Sequence, residues 1–215
     1  MALTIVMLGH RISLNEGRFM GNGLRNVGFV FLAVLAACFI GLITCGYASD
    51  TKKGDVTMTM MISSPAFANN QEIPKRYTCD GEDISPALAF SGFPEGTKSL
   101  VLIVDDPDAP DPAAPKMTWV HWVLYNMPPD ATGLGEGLKA KDLPKGTKQG
   151  LNDWKRTGYG GPCPPIGRHR YFHKLYALDA LLPDLGKATK AEIEKAMEGH
   201  ILGKAELVGT YQRAR

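Results

Sequence analysis

His121, His169 and Tyr171, with the carboxylates Asp106 and Asp108, are the side chains whose types and settings could do polar chemistry. Imidazole and phenol groups donate hydrogen bonds, and a carboxylate beside an imidazole accepts from it and favours its cationic form. Such a set, if the strands and loops that carry it converge, would line a small polar cavity. Catalysis and metal binding need other spacings. Asp106-Pro107-Asp108 and His169/His173 imitate D-x-D and H-x-x-x-H metal patterns, but residues four apart on a strand lie ~13 Å apart. The sequence has no G-x-S-x-G elbow, no Walker loop and no G-x-G-x-x-G after a strand. Cys79 or Cys163 with His169 could form a nucleophile–base pair, which a disulfide would abolish. The expectation is a binding protein without metal, cofactor or catalytic set.

Two loops of unusual composition must position these groups. In Val104–Pro115 (VDDPDAPDPAAP), proline fixes φ and removes N–H donors, so the run is read as a rigid acidic loop at a strand's end, not as helix or central strand. An Ala-Pro or Asp-Pro bond within it is a candidate for the cis form. In Gly158–Gly167 (GYGGPCPPIG), the glycines would let a ligand approach the backbone, and Pro164-Pro165 would stiffen the rim. Each loop adjoins a histidine-bearing strand. Strict alternation in Thr118–Met127 puts His121, Val123 and Tyr125 on one face and Val120, Trp122 and Leu124 on the other. In the 170s strand it puts His169, Tyr171 and His173 together, with Arg170, Phe172 and Lys174 opposite.

Further strands are expected at Val56–Ser63, Ala87–Phe90, Lys98–Asp105, Arg170–Asp179 and Ala205–Arg213. One helix is expected at Lys190–Glu198, with Thr189 as cap, Glu192 completing a capping box and Gly199 ending it. Many strands, long loops and one late helix indicate a mainly β, antiparallel domain. The 215 residues are 44% hydrophobic and 21% charged with net charge +2 and no dense basic block outside the N-terminus, so nucleic acid is not an expected partner.

The N-terminal part reads differently. Val27–Thr44 is a charge-free apolar run preceded by Arg11, Arg18 and Arg25, the pattern of an export signal or membrane anchor over residues 1–48. Gly46-Tyr47-Ala48 offers a cleavage site before Ser49, Cys38 and Cys45 offer lipidation sites, and the uncleaved run nearly spans a bilayer. The expected location is exported: periplasmic, or anchored and facing the periplasm. Cys79 and Cys163 then remain in the domain, residues 49–215, either as a disulfide or as two separate buried thiols.

Several motifs in this order resemble the phosphatidylethanolamine-binding protein family, also called Raf kinase inhibitor-like proteins, in its bacterial branch. They are Asp106-Pro107-Asp108-Ala109-Pro110, Trp119-Val120-His121-Trp122, Asn126-Met127-Pro128, and Gly161-Pro162-Cys163-Pro164-Pro165 followed by His169-Arg170-Tyr171. The stretch from Tyr77 to Pro86 is similar as well. The sequence departs from the family pattern at Ile166-Gly167-Arg168 and Asp111–Pro115. The resemblance implies an antiparallel β domain with a small second sheet and one or two peripheral helices. It implies a pocket for a phosphate or phospholipid headgroup bounded by Asp106, Pro107, Asp108, Pro110, Trp119, His121, Gly161, Cys163, His169 and Tyr171. In that pocket His121, His169, the Tyr171 hydroxyl and backbone N–H groups of the glycine loop would meet the anion, while Asp106, which a phosphate would repel, would accept from a pocket histidine or meet an ammonium group. Arg170 would pair structurally with an acid such as Asp108, and the loops of Cys79 and Cys163 would lie close enough to be bonded. Inhibition of a protease or kinase through the pocket rim, or weak His/Asp-dependent hydrolysis, are the alternative roles.

Overall fold

The computed structural model describes residues 59–214. The apolar run Val27–Thr44, the Ala48/Ser49 cleavage site, Cys38, Cys45 and the start of the Val56–Ser63 strand lie outside the described residues. Among the described residues, no helix is long and apolar enough to cross a membrane.

Strand β4, Ser99–Ala109, is central to the larger sheet. Its SLVLIVD run is apolar without alternation because both faces are covered. Leu100, Leu102 and Val104 enter one core with Ile62, Leu88, Phe90 and Leu134; Val101 and Ile103 enter another with Ile193 and Met197. Around it lie β5 (Met117–Met127), β8 (His169–Leu178) and β9 (Ile201–Tyr211), with the two-residue strands β2 (Gln71–Glu72) and β7 (Lys148–Gln149) at the edges. The order is β2-β9-β8-β4-β5-β7. Strand β2 runs parallel to β9, so this sheet is mixed at one edge. A second sheet of β1 (Met61–Ser63), β3 (Leu88–Ser91) and β6 (Gly133–Leu134) packs on the first core.

Helix α1, Lys190–Met197, begins at Thr189 with the expected capping box: the Thr189 side chain accepts from the Glu192 N–H, and the Glu192 carboxylate accepts from the Thr189 N–H. Gly199 follows it at φ 79°, a conformation glycine adopts without strain. Ile193 and Met197, four apart, place one face on the second core.

Two local readings of the sequence are corrected. The acidic proline run is not a loop from its start, because β4 continues through Asp105-Asp106-Pro107-Asp108-Ala109. The register shifts between Asp106↔Trp119 and Ala109↔Met117, and the β8 ladder ends at Asp105↔Phe172, so Pro107 sits where no regular ladder needs its missing N–H. The cis bond of the run is Ala109–Pro110.

The alternation assigned to β5 also fails. From Val104↔Trp122 to Asp105↔Val120, β4 advances one residue while β5 advances two. His121 is the extra residue of a β-bulge. Val120 therefore joins Val123 and Tyr125 in the core under α1, while His121 turns to the side of Trp122 and meets Tyr171. A second shift, between Leu100↔Met127 and Leu102↔Leu124, falls at Asn126, whose φ of 56° asparagine tolerates. The Asn126 amide then holds Leu182 by both backbone groups, at 2.8 and 2.9 Å.

Candidate functional site

Where the end of β4 and the start of β5 meet the start of β8 and the glycine–proline loop, a cavity of about 320 Å³ opens. Its polar groups come from these three strands: Asp106 from β4, His121 from β5 and His169 from β8. The β5 bulge is what brings His121 to this side.

Asp106 is 4% exposed and fully engaged. One carboxylate oxygen accepts the Asp108 N–H at 2.8 Å, and the other faces His169 Nδ1 at 2.7 Å. The expected carboxylate–histidine contact is thus present. The second ring nitrogen of His169 lies 3.0 Å from the Ile166 carbonyl. His169 thus lines the cavity while its ring is tied to Asp106 on one side and to the Ile166 loop on the other.

His121 is arranged differently. Its Nδ1 donates to the Gly160 carbonyl at 2.7 Å, while its buried Nε2 has no partner. Burial pushes its pKa below the ordinary histidine value, opposed by the Gly160 bond and the charge of Asp106. Tyr171 packs edge-on against His121, with ring centroids 5.2 Å apart, and stacks on His169 at 6.4 Å. Its buried hydroxyl also lacks a partner, and burial raises its pKa far above the phenol value. Tyr171 lies behind the two histidines and does not line the cavity.

Two amides of the glycine loop, expected to meet a ligand, are instead engaged within the protein. The Gly160 N–H donates to the His121 carbonyl at 3.1 Å, and the Gly161 N–H to Asp83 at 2.6 Å. Their glycines serve packing instead. A Cβ at Gly161 would stand 2.5 Å from the Tyr77 carbonyl, and one at Gly160 would stand 2.5 Å from the Trp154 ring. Asp108 is likewise turned from the cavity: Arg170 holds it through Nε at 2.9 Å, Nη2 at 2.7 Å and its backbone N–H at 2.9 Å. These bonds keep the Asp108 carboxyl below the usual carboxylate range despite burial. Arg170 thus has the structural pairing the resemblance implies, and Asp108 braces the end of β4.

The walls are apolar. Pro110, Trp119 and Cys163 line the cavity as expected, while Pro107 and Gly161 do not. Ala109, Met117, Trp154 and the Pro164-Pro165 pair complete the lining; the sequence motifs include Ala109 and the prolines but neither Met117 nor Trp154. Trp154 carries the clearest overlooked signal, an indole in a polar turn far from any hydrophobic periodicity. Cys163 is bonded to Cys79, with Cα atoms 5.4 Å apart, which ties the cavity wall to the Thr78–Asp83 loop. Among the described residues, no three His, Cys, Asp or Glu side chains converge as metal ligands.

Residues 63–212 match the family model of phosphatidylethanolamine-binding protein. A UPF0098 protein of Methanothermobacter thermautotrophicus is 52% identical over 155 residues, 72% of this chain and 99% of that one. The crystal structure of CT736 from Chlamydia trachomatis, described as a homologue of phosphatidylethanolamine-binding protein, superposes with a TM-score of 0.67 at 44% identity, covering 73% of this chain and 99% of that one. Escherichia coli YbcL, described as a member of the same family, gives a TM-score of 0.65 at 30% identity over 72% of this chain and 99% of its own. With the motifs of the strand ends standing together around one cavity, these likenesses place the chain in the phosphatidylethanolamine-binding protein family, and so among ligand-binding proteins.

Proposed function

We propose that this cavity binds a small phosphate-bearing or anionic group, such as a phospholipid headgroup carries, and that the chain is a binding protein rather than an enzyme. One observation carries the reading: His121 Nε2, buried at the cavity, has no partner within the protein. A buried polar atom without a partner costs free energy, and a ligand that supplies one recovers it. With Nδ1 donating to Gly160, Nε2 of the neutral ring is an acceptor. A phosphate dianion would set acceptor against acceptor. The complex therefore holds one proton between Nε2 and a phosphate oxygen, supplied by the ring or by the monoanion, whose second pKa is about 6.

The sign of the pH dependence follows. The free ring resists protonation because it is buried, and the bound anion favours the shared proton. Affinity for methyl phosphate, measured by titration calorimetry on the full chain, is expected to fall as pH rises from 6 to 8, by up to roughly tenfold per pH unit. His121→Ala is expected to weaken binding by about 1.5–3 kcal/mol. An affinity flat from pH 5 to 8, or a variant binding as the wild type does, refutes the assignment.

Export belongs to the same proposal, supported by the apolar run Val27–Thr44 and by a disulfide that persists in oxidising compartments. A protein-facing regulatory role is a second reading, favoured by the exposed side chains of Met117, Trp154 and Ile166 near the cavity mouth. A pure protein regulator need not bind methyl phosphate at all.

A further inference from the structure

The Cys79–Cys163 disulfide lies at the surface and pins one wall of the cavity. Both cysteines are exposed, and Cys163 lines the cavity beside Pro164 and Pro165. The bond crosses from the Thr78–Asp83 loop to the glycine–proline loop.

Hydrogen bonds already dock these two loops. The Cys79 N–H donates to the Pro162 carbonyl at 3.1 Å, the Gly161 N–H to Asp83 at 2.6 Å, and the Tyr159 hydroxyl to the Tyr77 carbonyl at 3.0 Å. Asp80 accepts from the Tyr211 hydroxyl and from Arg213 Nε, both at 2.9 Å. On the glycine–proline loop these contacts reach no further than Pro162. The wall segment beyond it, Cys163–Gly167, is held differently. Among the described residues its one polar backbone contact is the Ile166 carbonyl, 3.0 Å from His169 Nε2. Pro164 and Pro165 have no N–H to give. Pro164 is buried, and Gly167 lies so close to Pro112 that a Cβ would stand 2.7 Å from its ring. The wall is therefore pinned covalently at one end, held by one polar contact at the other, and packed in between. A segment with so few bonds opens locally at low cost once a tie is cut.

We propose that Cys79–Cys163 is a thiol–disulfide exchange site in the folded protein, and that its reduction by a dithiol loosens the Cys163–Gly167 wall and opens the cavity. A thiolate of the dithiol attacks one sulfur of the bond. A mixed disulfide forms, and the other sulfur leaves as a thiolate and takes a proton. The second thiol of the reductant then displaces the mixed disulfide. Two electrons and two protons pass to the cysteine pair, and the reductant leaves as a disulfide. A disulfide oxidant reverses the exchange. This inference does not depend on which ligand the cavity takes.

The test treats the full, disulfide-bonded chain with dithiothreitol under native conditions. Alkylation and peptide mass mapping read Cys79 and Cys163 separately from Cys38 and Cys45. Direct attack makes the reduction rate rise about tenfold for a tenfold rise in dithiothreitol, and urea below the unfolding transition leaves that rate unchanged. A rate that climbs with urea as the unfolded fraction does means that the bond is reached only by unfolding, and it overturns the exchange site. Tryptophan fluorescence reads the wall, because Trp119 and Trp154 line the cavity and the third tryptophan, Trp122, is 2% exposed. Acrylamide is expected to quench the reduced protein more steeply, while hydrogen exchange at the Cys79, Gly160 and Gly161 amides stays as slow as in the bonded form. Quenching unchanged by reduction overturns the gate. Loss of protection at those three amides overturns it too, because both loops would then be undocking together. A Cys79→Ser/Cys163→Ser variant, which carries no bond in any buffer, is expected to quench as the reduced protein does. Quenching like that of the bonded protein would show that the bond is not the latch.

Discussion

Replacing His169 by alanine removes the donor 2.7 Å from Asp106 and leaves a carboxylate 4% exposed with one remaining bond, the Asp108 N–H at 2.8 Å. Trp119, Ala109 and Pro110 line the cavity with it and offer no side-chain replacement for the lost donor. A hydrogen bond to a charged group contributes about 1.5–3 kcal/mol, and the carboxylate left behind is nearly buried, so the loss is set at the upper end, about 3 kcal/mol. In a domain of this size that lowers the melting temperature by about 6–12 °C. A pure pocket role would leave stability unchanged, so the two roles separate cleanly. Asp106→Asn in the His169→Ala background replaces the stranded charge with a neutral amide and is expected to recover at least a third of the loss. The assay is urea unfolding of the disulfide-bonded protein at pH 7, read as the midpoint at constant slope. A His169→Ala midpoint within about 0.5 kcal/mol of wild type, or a double variant less stable than the single one, refutes the view that this pair braces the cavity floor.

Acid should destabilise the protein through His173, which burial against the sheet lowers to about 4. Its stabilising effect is complete above the ordinary value near 6.5 and is lost as pH falls toward 4, about 3 kcal/mol in all; unfolding midpoints at pH 7, 5.5 and 4 read it, and His173→Leu should flatten the slope. Reduction of Cys79–Cys163 opens a loop whose ends are 84 residues apart, for which chain entropy gives about 4–5 kcal/mol, so Tm should drop on adding reductant. Thiol titration of unreduced, denatured protein should find neither cysteine; two titrating thiols from the domain would contradict the bond. Arg170→Lys should lose the forked contact to Asp108 and cost about 1 kcal/mol, a modest figure because Arg170 is 56% exposed in its side chain. An unchanged urea midpoint would mean that the backbone bond to Asp108 suffices.

Legibility in the sequence followed length and local chemistry. The long strands were readable because Leu100–Val104 is apolar throughout and β8 alternates faithfully from His169 to Ala177, with Tyr171, Leu175 and Ala177 in one core. The helix was readable because a capping box is a contact between residues three apart. Strands β2, β6 and β7 were not, since two residues hold no period and exist only because a neighbouring strand offers an open ladder. The proline run was misjudged for a related reason: propensity forbids proline in a regular ladder but says nothing of where the ladder will be irregular.

By itself, then, the sequence determined the β character, the helix, the identities of the polar groups at the strand ends and the pairing of Arg170 with an acid, all of which rest on local pattern or motif. Tertiary structure alone decided which of those groups meet the cavity. A bulge at Val120–His121 rotates one imidazole from the helix-side core to the pocket, and bulges arise from pairing between strands, not from alternation within one. Trp154 reaches the same cavity because Asp153 binds the backbone of Val120, thirty-three residues earlier in the chain. The amides of Gly160 and Gly161, free in the sequence reading, are taken by His121 and Asp83. Each of these outcomes is a hydrogen bond between residues distant in sequence, for which a periodicity carries no record.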